Sequence, residues 1–186
     1  MSRRVLGIRS VRIGYGEKLE GSREKMSVGV ERLFGCTGGA FMYAPAAGKG
    51  IPMSQVNDQT FSQEIIGKGV AIEPSEGRIT APADGKITMV FDTKHAISMT
   101  TLSGAELIIH VGLDTVQLKG KYFTAHVQAG DKVQAGDLLL EFDLEEIRKA
   151  GYQVTTPVIV CNTPSFPNMK CLSGMEVKAQ DKIIEL

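Results

Sequence analysis

Residues 89–116 read MVFDTKHAISMTTLSGAELIIHVGLDTV, and two of the chain's three histidines, His95 and His110, fall within this one stretch. From Glu106 onward the run alternates as a strand does, with Leu107, Ile109 and Val111 on one face and Ile108 and His110 on the other. Under the same rule Met89, Phe91, Thr93, His95, Ile97 and Met99 share a face upstream. Thr100 to Ala105 is short enough for a hairpin loop, with Gly104 available for an unusual φ. A symmetric hairpin pairing residues whose numbers sum to 205 sets His95 directly opposite His110. A bulge would move that register by one residue and part the two rings.

The remainder of the chain from Tyr43 has the same texture: short β-prone runs broken by Gly, Pro and Asp every eight to twelve residues. The phrase Ala44-Pro45-Ala46-Ala47-Gly48-Lys49 returns as Ala81-Pro82-Ala83-Asp84-Gly85-Lys86, an internal echo too short for a solenoid. Val127-Gln128-Ala129-Gly130-Asp131 is followed at once by Val133-Gln134-Ala135-Gly136-Asp137, two glycine-bearing turns in succession. Helix is scarce. Asp143 to Gly151 reads as two turns, with Asp143 as N-cap, Glu145 and Glu146 leading, Arg148 and Lys149 trailing and Gly151 closing. Phe61 to Ile66 reads as a second short turn stopped by Gly67. The expected fold is all-β: a compact antiparallel β-sandwich or barrel with a few short helices.

Bulk properties exclude several functions. The 186 residues suffice for one well-filled core plus an extension, and residues 43–186 are assigned to that domain. Lys and Arg balance Asp and Glu at 21 each with no long run of either sign, which argues against a nucleic-acid footprint or a polybasic membrane patch. Residues 1–42 carry a net +4 and the rest a net −4. Their scattered Gly, Ser and Arg read as a flexible extension or linker remnant, with an amphipathic helix over Lys25 to Phe34 as the competing reading. Cys36, Cys161 and Cys171 form no CxxC pair and fit free thiols in a reducing cytoplasm. No apolar run approaches the ~20 residues that cross a bilayer, so a cytoplasmic location is expected, with tethering to a membrane-bound partner or parent protein open.

A single histidine among apolar residues is most often a satisfied structural group, and His126, without such company, is read that way. Two histidines facing each other with Thr93 alongside are different, because the hydroxyl can fix a ring's tautomer. Zinc wants three or four ligands, and Asp92 and Glu106 alternate onto the other face. No metal is therefore expected, although a weak site at His95 and His110 completed by a partner stays open. Neither Ser98, Ser103 nor the cysteines carry a nucleophile signature, and no phosphate-cradling glycine loop is present. What remains is an imidazole acting as nucleophile toward phosphorus, with a second imidazole supporting the phosphoryl oxygens and no cofactor.

The segments HAIS, SGAELIIHVGLDTV and GKYFTAHVQAGDKVQAGDLLLEFDLEEIRKAGYQVTTPVIVCN, after the opening APAAGKGIPMSQVNDQTFSQEIIGKGVAIEPSEGRITAPADG, resemble the glucose-type enzyme IIA domain of the bacterial sugar phosphotransferase system. The resemblance implies a flattened β-sandwich that relays phosphate from the histidine phosphocarrier protein to a cysteine on the IIB domain of a sugar permease. It carries phosphorylation to His110, assistance to His95, orientation of His95 to Thr93, and orientation of His110 to the carbonyl of Gly112. Docking two partners in turn calls for an apolar rim, for which Phe61, Phe91, Ile108 and Val116 are the candidates, with Asp58 and Asp114 as acidic contacts.

Two rival readings use other residues. The twin turns and Asn168-Met169-Lys170-Cys171 faintly match a biotinyl- or lipoyl-type carrier, whose modified lysine would be Lys170. A metallopeptidase on a similar sandwich needs an HxH triplet, and His126-Val127-Gln128 lacks its second histidine.

Overall fold

Short alternating runs become short strands in the computed structural model, which describes residues 40–186. The reading of residues 1–39, with Cys36 and the helix considered over Lys25 to Phe34, lies outside them. Strands β1 (Phe41–Tyr43), β2 (Gly48–Pro52), β3 (Lys68–Pro74) and β4 (Arg78–Thr80) are followed by β5 (Gly85–Val90), β6 (Ala96–Thr101) and β7 (Glu106–His110). Then come β8 (Phe123–Ala125), β9 (Lys132–Val133), β10 (Leu138–Phe142), β11 (Thr156–Val160), β12 (Lys170–Cys171), β13 (Glu176–Val177) and β14 (Lys182–Glu185). Phe41 and Met42, placed by sequence in the extension, thus belong to the folded body, where Met42 is buried against β14.

Every strand pair among the described residues is antiparallel. The large sheet runs β13-β2-β3-β11-β7-β6-β5-β9, beside two three-stranded sheets, β1-β14-β12 and β4-β10-β8. It ends in open edges at β13 and β9, so the sandwich alternative holds and no barrel closes. The main core joins inward residues of all three sheets: Val70, Ile97, Leu107, Ile109 and Val158 from the large one, Met42, Ile184, Ile79 and Leu140 from the small ones.

The internal echo is structural. Thr80 N–H donates to the Pro45 carbonyl and Tyr43 N–H to the Pro82 carbonyl, both at 2.8 Å, so each Ala-Pro phrase holds the residue leading into the other. Ala81 N–H donates to the carbonyl of Asp137 and Ala44 N–H to that of Asp181, at 2.8 and 2.7 Å. The turn over Lys178 to Asp181 is therefore the counterpart of the turn over Gln134 to Asp137. Sequence inspection misses it because Gln180, at φ 73°, occupies the place of Gly136 at φ 93°.

Two α-helices punctuate the strands among the described residues. Helix α1 (Gln59–Ser62) begins two residues earlier than the turn expected over Phe61 to Ile66, because Asp58 caps it by accepting from the N–H groups of Thr60 and Phe61 at 2.8 and 3.2 Å. Helix α2 (Leu144–Lys149) starts as expected, Asp143 accepting from Glu146 N–H at 3.0 Å, and Gly151 follows at φ 90°. The segment containing α1 folds over the outer face of the large sheet. Phe61, Met53, Val56 and Leu113 pack there on Ala71 and Ile159 in a second, smaller core, which is why β11 is buried on both faces.

Candidate functional site

His110 closes β7 on the outer face of the large sheet, at the margin of the smaller core. The register of β6 with β7 pairs Ala96 with His110, Ile97 with Ile109 and Ser98 with Ile108, one residue away from the expected pairing of His95 with His110. The stretch MVFDTKHAISMT is not one strand either. It is β5, a turn over Phe91 to His95, and β6, with Lys94 at φ 55° and its N–H donating to the Phe91 carbonyl at 2.7 Å. Phe91, Thr93 and His95 consequently do not share a strand face with Met89, which is exposed.

The rings nevertheless meet. Lying in the turn, His95 is released from strand alternation, and its ring centroid stands 4.7 Å from that of His110 at an interplanar angle of 82°. Its backbone stays tied to the strand end, the His95 carbonyl accepting from Val111 N–H at 2.7 Å. Phe91 packs edge-on against His95 at 5.5 Å, and Phe61 against His110 at 5.2 Å.

Each Nδ1 has a partner. The Thr93 hydroxyl lies 2.6 Å from His95 Nδ1, and the Gly112 carbonyl lies 2.8 Å from His110 Nδ1. A carbonyl can only accept, so the second bond requires the proton of neutral His110 on Nδ1 and leaves Nε2 a bare lone pair. Gly112 offers its carbonyl from a left-handed φ of 77°, a conformation that an L side chain rarely adopts.

Burial pushes His95 down from 6.5 to about 4, and the neighbouring His110 adds to this. Burial also lowers His110, while the Gly112 carbonyl and then the carboxylates of Asp58 and Asp114 pull it partly back. Both rings are thus neutral at pH 7, which a nitrogen nucleophile requires.

Of the expected rim, Phe61 is buried beneath His110, so it is a floor rather than an exposed contact. Phe91 and Ile108 are half-buried and Val116 is exposed. Asp58 is occupied in capping α1, and Asp114 is exposed at φ 58°. Met89, not among the expected rim residues, pairs with Ser98, itself opposite Ile108, and so extends the same row of outward side chains. Alternation grouped it with Ile97 and Met99, but the bulge between Ile87 and Met89 keeps Met89 outward while Ile97 and Met99 turn into the core.

The other candidates lie elsewhere. His126 Nε2 and Glu141 form an exposed pair at 2.8 Å. Lys170 sits within β12, paired with β14, rather than at a hairpin tip, and its Nζ lies 3.4 Å from Glu185. Burial pushes the half-buried Cys161 thiol up, which makes it a poor nucleophile at neutral pH, and Cys171 lies exposed on β12. No cluster of three or more metal-ligating side chains occurs among the described residues. A groove of about 640 Å³ between Gln63–Lys68 and Cys161–Met169 includes neither site histidine.

Fold and site together define an antiparallel sandwich domain with a facing pair of largely buried imidazoles at the margin of its smaller core. The family described as "phosphoenolpyruvate-dependent sugar phosphotransferase system, EIIA 1" matches residues 40–166. A β-glucoside-specific EIIBCA component from Halalkalibacterium halodurans is 49% identical over 143 residues, 77% of this chain and 22% of the relative. A glucose-specific EIIA component from the same organism is 45% identical over 138 residues, 74% of this chain and 80% of the relative. Glucose permease IIA from Mycoplasma capricolum superposes with a TM-score of 0.74 at 34% identity, covering 78% of this chain and 94% of that one. The chain belongs to the EIIA 1 family of the phosphoenolpyruvate-dependent sugar phosphotransferase system. It spans about a fifth of the length of the β-glucoside-specific relatives it matches. No helix among the described residues is long and apolar enough to cross a membrane.

Proposed function

We propose that this chain is a phosphoryl relay in sugar uptake, with His110 Nε2 as the accepting atom. The observation that carries the reading is the Gly112 carbonyl on Nδ1, which leaves Nε2 unprotonated beside a second neutral imidazole. In the first step the Nε2 lone pair attacks the phosphorus of a phosphohistidine on the histidine phosphocarrier protein. The new N–P bond forms as the donor's breaks, and the donor nitrogen keeps its electron pair. In the second, a cysteine thiolate of a IIB domain attacks the same phosphorus and Nε2 recovers its pair.

His95 assists. With the Thr93 hydroxyl donating to Nδ1, the ring's proton sits on Nε2, from which it donates to a phosphoryl oxygen. The EIIBCA relatives support a IIB partner in the same or a bound chain, and hence a domain tethered at the membrane by its permease. Phe91, Ile108, Val116 and Met89 form the apolar docking rim above Phe61, and Asp114 and Asp58 add negative charge for a basic partner.

Incubation with phosphoenolpyruvate, enzyme I and the phosphocarrier protein tests this. An acid-labile, alkali-stable phosphate is expected on His110, absent from His110→Ala. His95→Gln is expected to accept phosphate yet donate it poorly to a IIB domain. Undiminished labelling of His110→Ala would sink the relay. Biotin or lipoate found on Lys170 by intact mass would favour the carrier reading instead.

A further inference from the structure

We infer that Thr115 is a positioning residue for His110: its hydroxyl and methyl together lock the turn from Val111 to Leu113, keeping the Gly112 carbonyl on Nδ1 and the Nε2 lone pair free. This rests on the reading of His110 as phosphoryl acceptor and explains how that atom is kept ready.

Thr115 opens a 3-10 turn (Thr115–Leu118) whose neighbours Asp114, Val116 and Gln117 are exposed, yet it is fully buried itself. Its hydroxyl donates to the Val111 carbonyl at 2.5 Å. The N–H of the same Val111 donates to His95, so one residue connects the clamp to both histidine-bearing segments. The Thr115 methyl closes the other side. A Cβ placed on Gly112 would lie 2.4 Å from Thr115 Cγ2 and 2.7 Å from the Gln153 carbonyl.

The two peptide planes flanking Gly112 are therefore both held. Thr115 grips the Val111 carbonyl before it, and Leu113 N–H donates to Gln153 at 3.0 Å after it. The Gly112 carbonyl belongs to the second plane, so release of the first frees φ at Gly112 and lets the second, tied only through Leu113 N–H, tilt and draw the carbonyl off Nδ1. The ring proton is then free to move to Nε2, where it blocks the lone pair. Both halves of a threonine are used, since valine lacks the donor and serine the methyl.

The test is the imidazole tautomer of His110 read by ¹⁵N NMR above the ordinary histidine range, alongside the rate of phosphoryl acceptance from the phosphocarrier protein. The wild type is expected to hold its proton on Nδ1. Thr115→Val is expected to populate the Nε2–H form and to accept phosphate roughly tenfold more slowly, and Thr115→Ser, which keeps the donor and loses the methyl, to fall between Thr115→Val and the wild type in both. A folded Thr115→Val that keeps the wild-type tautomer overturns the inference, as does a shifted tautomer with unchanged acceptance. If Thr115→Val fails to fold, the wild-type Thr115 hydroxyl proton decides: slow exchange supports the clamp, and rapid exchange overturns it. A wild type with the Nδ1–H tautomer that takes no phosphate would instead defeat the relay and leave the clamp standing.

Discussion

At the scale of single residues, the two histidines differ in what holds them neutral. His95 has a folded-state value of about 4 against an ordinary 6.5, because burial and the facing His110 both penalise its charge. The unfolded chain therefore binds a proton first as pH falls, so stability is fully present above about 6.5 and is lost through the window down to about 4. Acid titration of unfolding is expected to show a loss of up to about 3 kcal/mol in that window that His95→Gln abolishes. An unchanged acid profile in the variant would contradict it. His110 is also pushed below its ordinary value, so phosphoryl acceptance should stay level through neutral pH and fall only below the usual histidine range. A midpoint at or above 6.5 in the rate profile would show the ring to be better solvated than its burial implies. The contacts of Thr93 with His95 and of the Gly112 carbonyl with His110 are those the resemblance implied. The clamp by Thr115 was not legible, because its hydroxyl and methyl act on backbone that the chain brings back only through a left-handed turn at Gly112.

At the scale of elements, register carried the main correction. Hairpin symmetry predicted the right meeting of rings through the wrong pairing, since a turn over Phe91 to His95 lets the side chain point where no strand position would. Periodicity does not reveal such a turn when its residues, Phe91, Thr93 and His95, themselves alternate apolar and polar. Close strand approach sets another element-scale demand. On β3, a Cβ at Gly69 would stand 2.0 Å from the Val158 carbonyl of β11, the strand next to β7. Gly69→Ala is expected to cost ~2–3 kcal/mol by forcing these strands apart, read as a lower midpoint in urea. A midpoint within error of the wild type would show that the pair yields without strain. Helix α2 was readable to its cap because Asp143, the acidic first turn and the basic last turn are local signals. Helix α1 was displaced in the reading because Asp58 was taken as a partner contact while its carboxylate was needed by the backbone of Thr60 and Phe61.

At the scale of the whole molecule, two related halves brace each other through the Ala-Pro phrases and their matching turns. Asp137 accepts from Gln134 N–H at 2.7 Å and Asp181 from Lys178 N–H at 2.8 Å, each closing the turn whose carbonyl holds the opposite phrase. Asp137→Ala and Asp181→Ala are expected to destabilise by similar amounts, each ~1 kcal/mol, in thermal or urea unfolding. A marked inequality would show that the geometric correspondence is not an energetic one. The sequence by itself determined the all-β class, the repeated phrase and α2, because these are written in local alternation, capping and turn chemistry; it named the two facing histidines, but through a pairing the structure does not have. Only the tertiary structure decided that Phe61 lies under His110, that Met89 joins the outward row, that the turn at Gln180 matches a glycine turn, and that Thr115 grips Val111. Each of these depends on a register shift, a left-handed residue or a fold-over between positions distant along the chain. Such features arise when packing and backbone hydrogen bonding are satisfied together, and no local period encodes them.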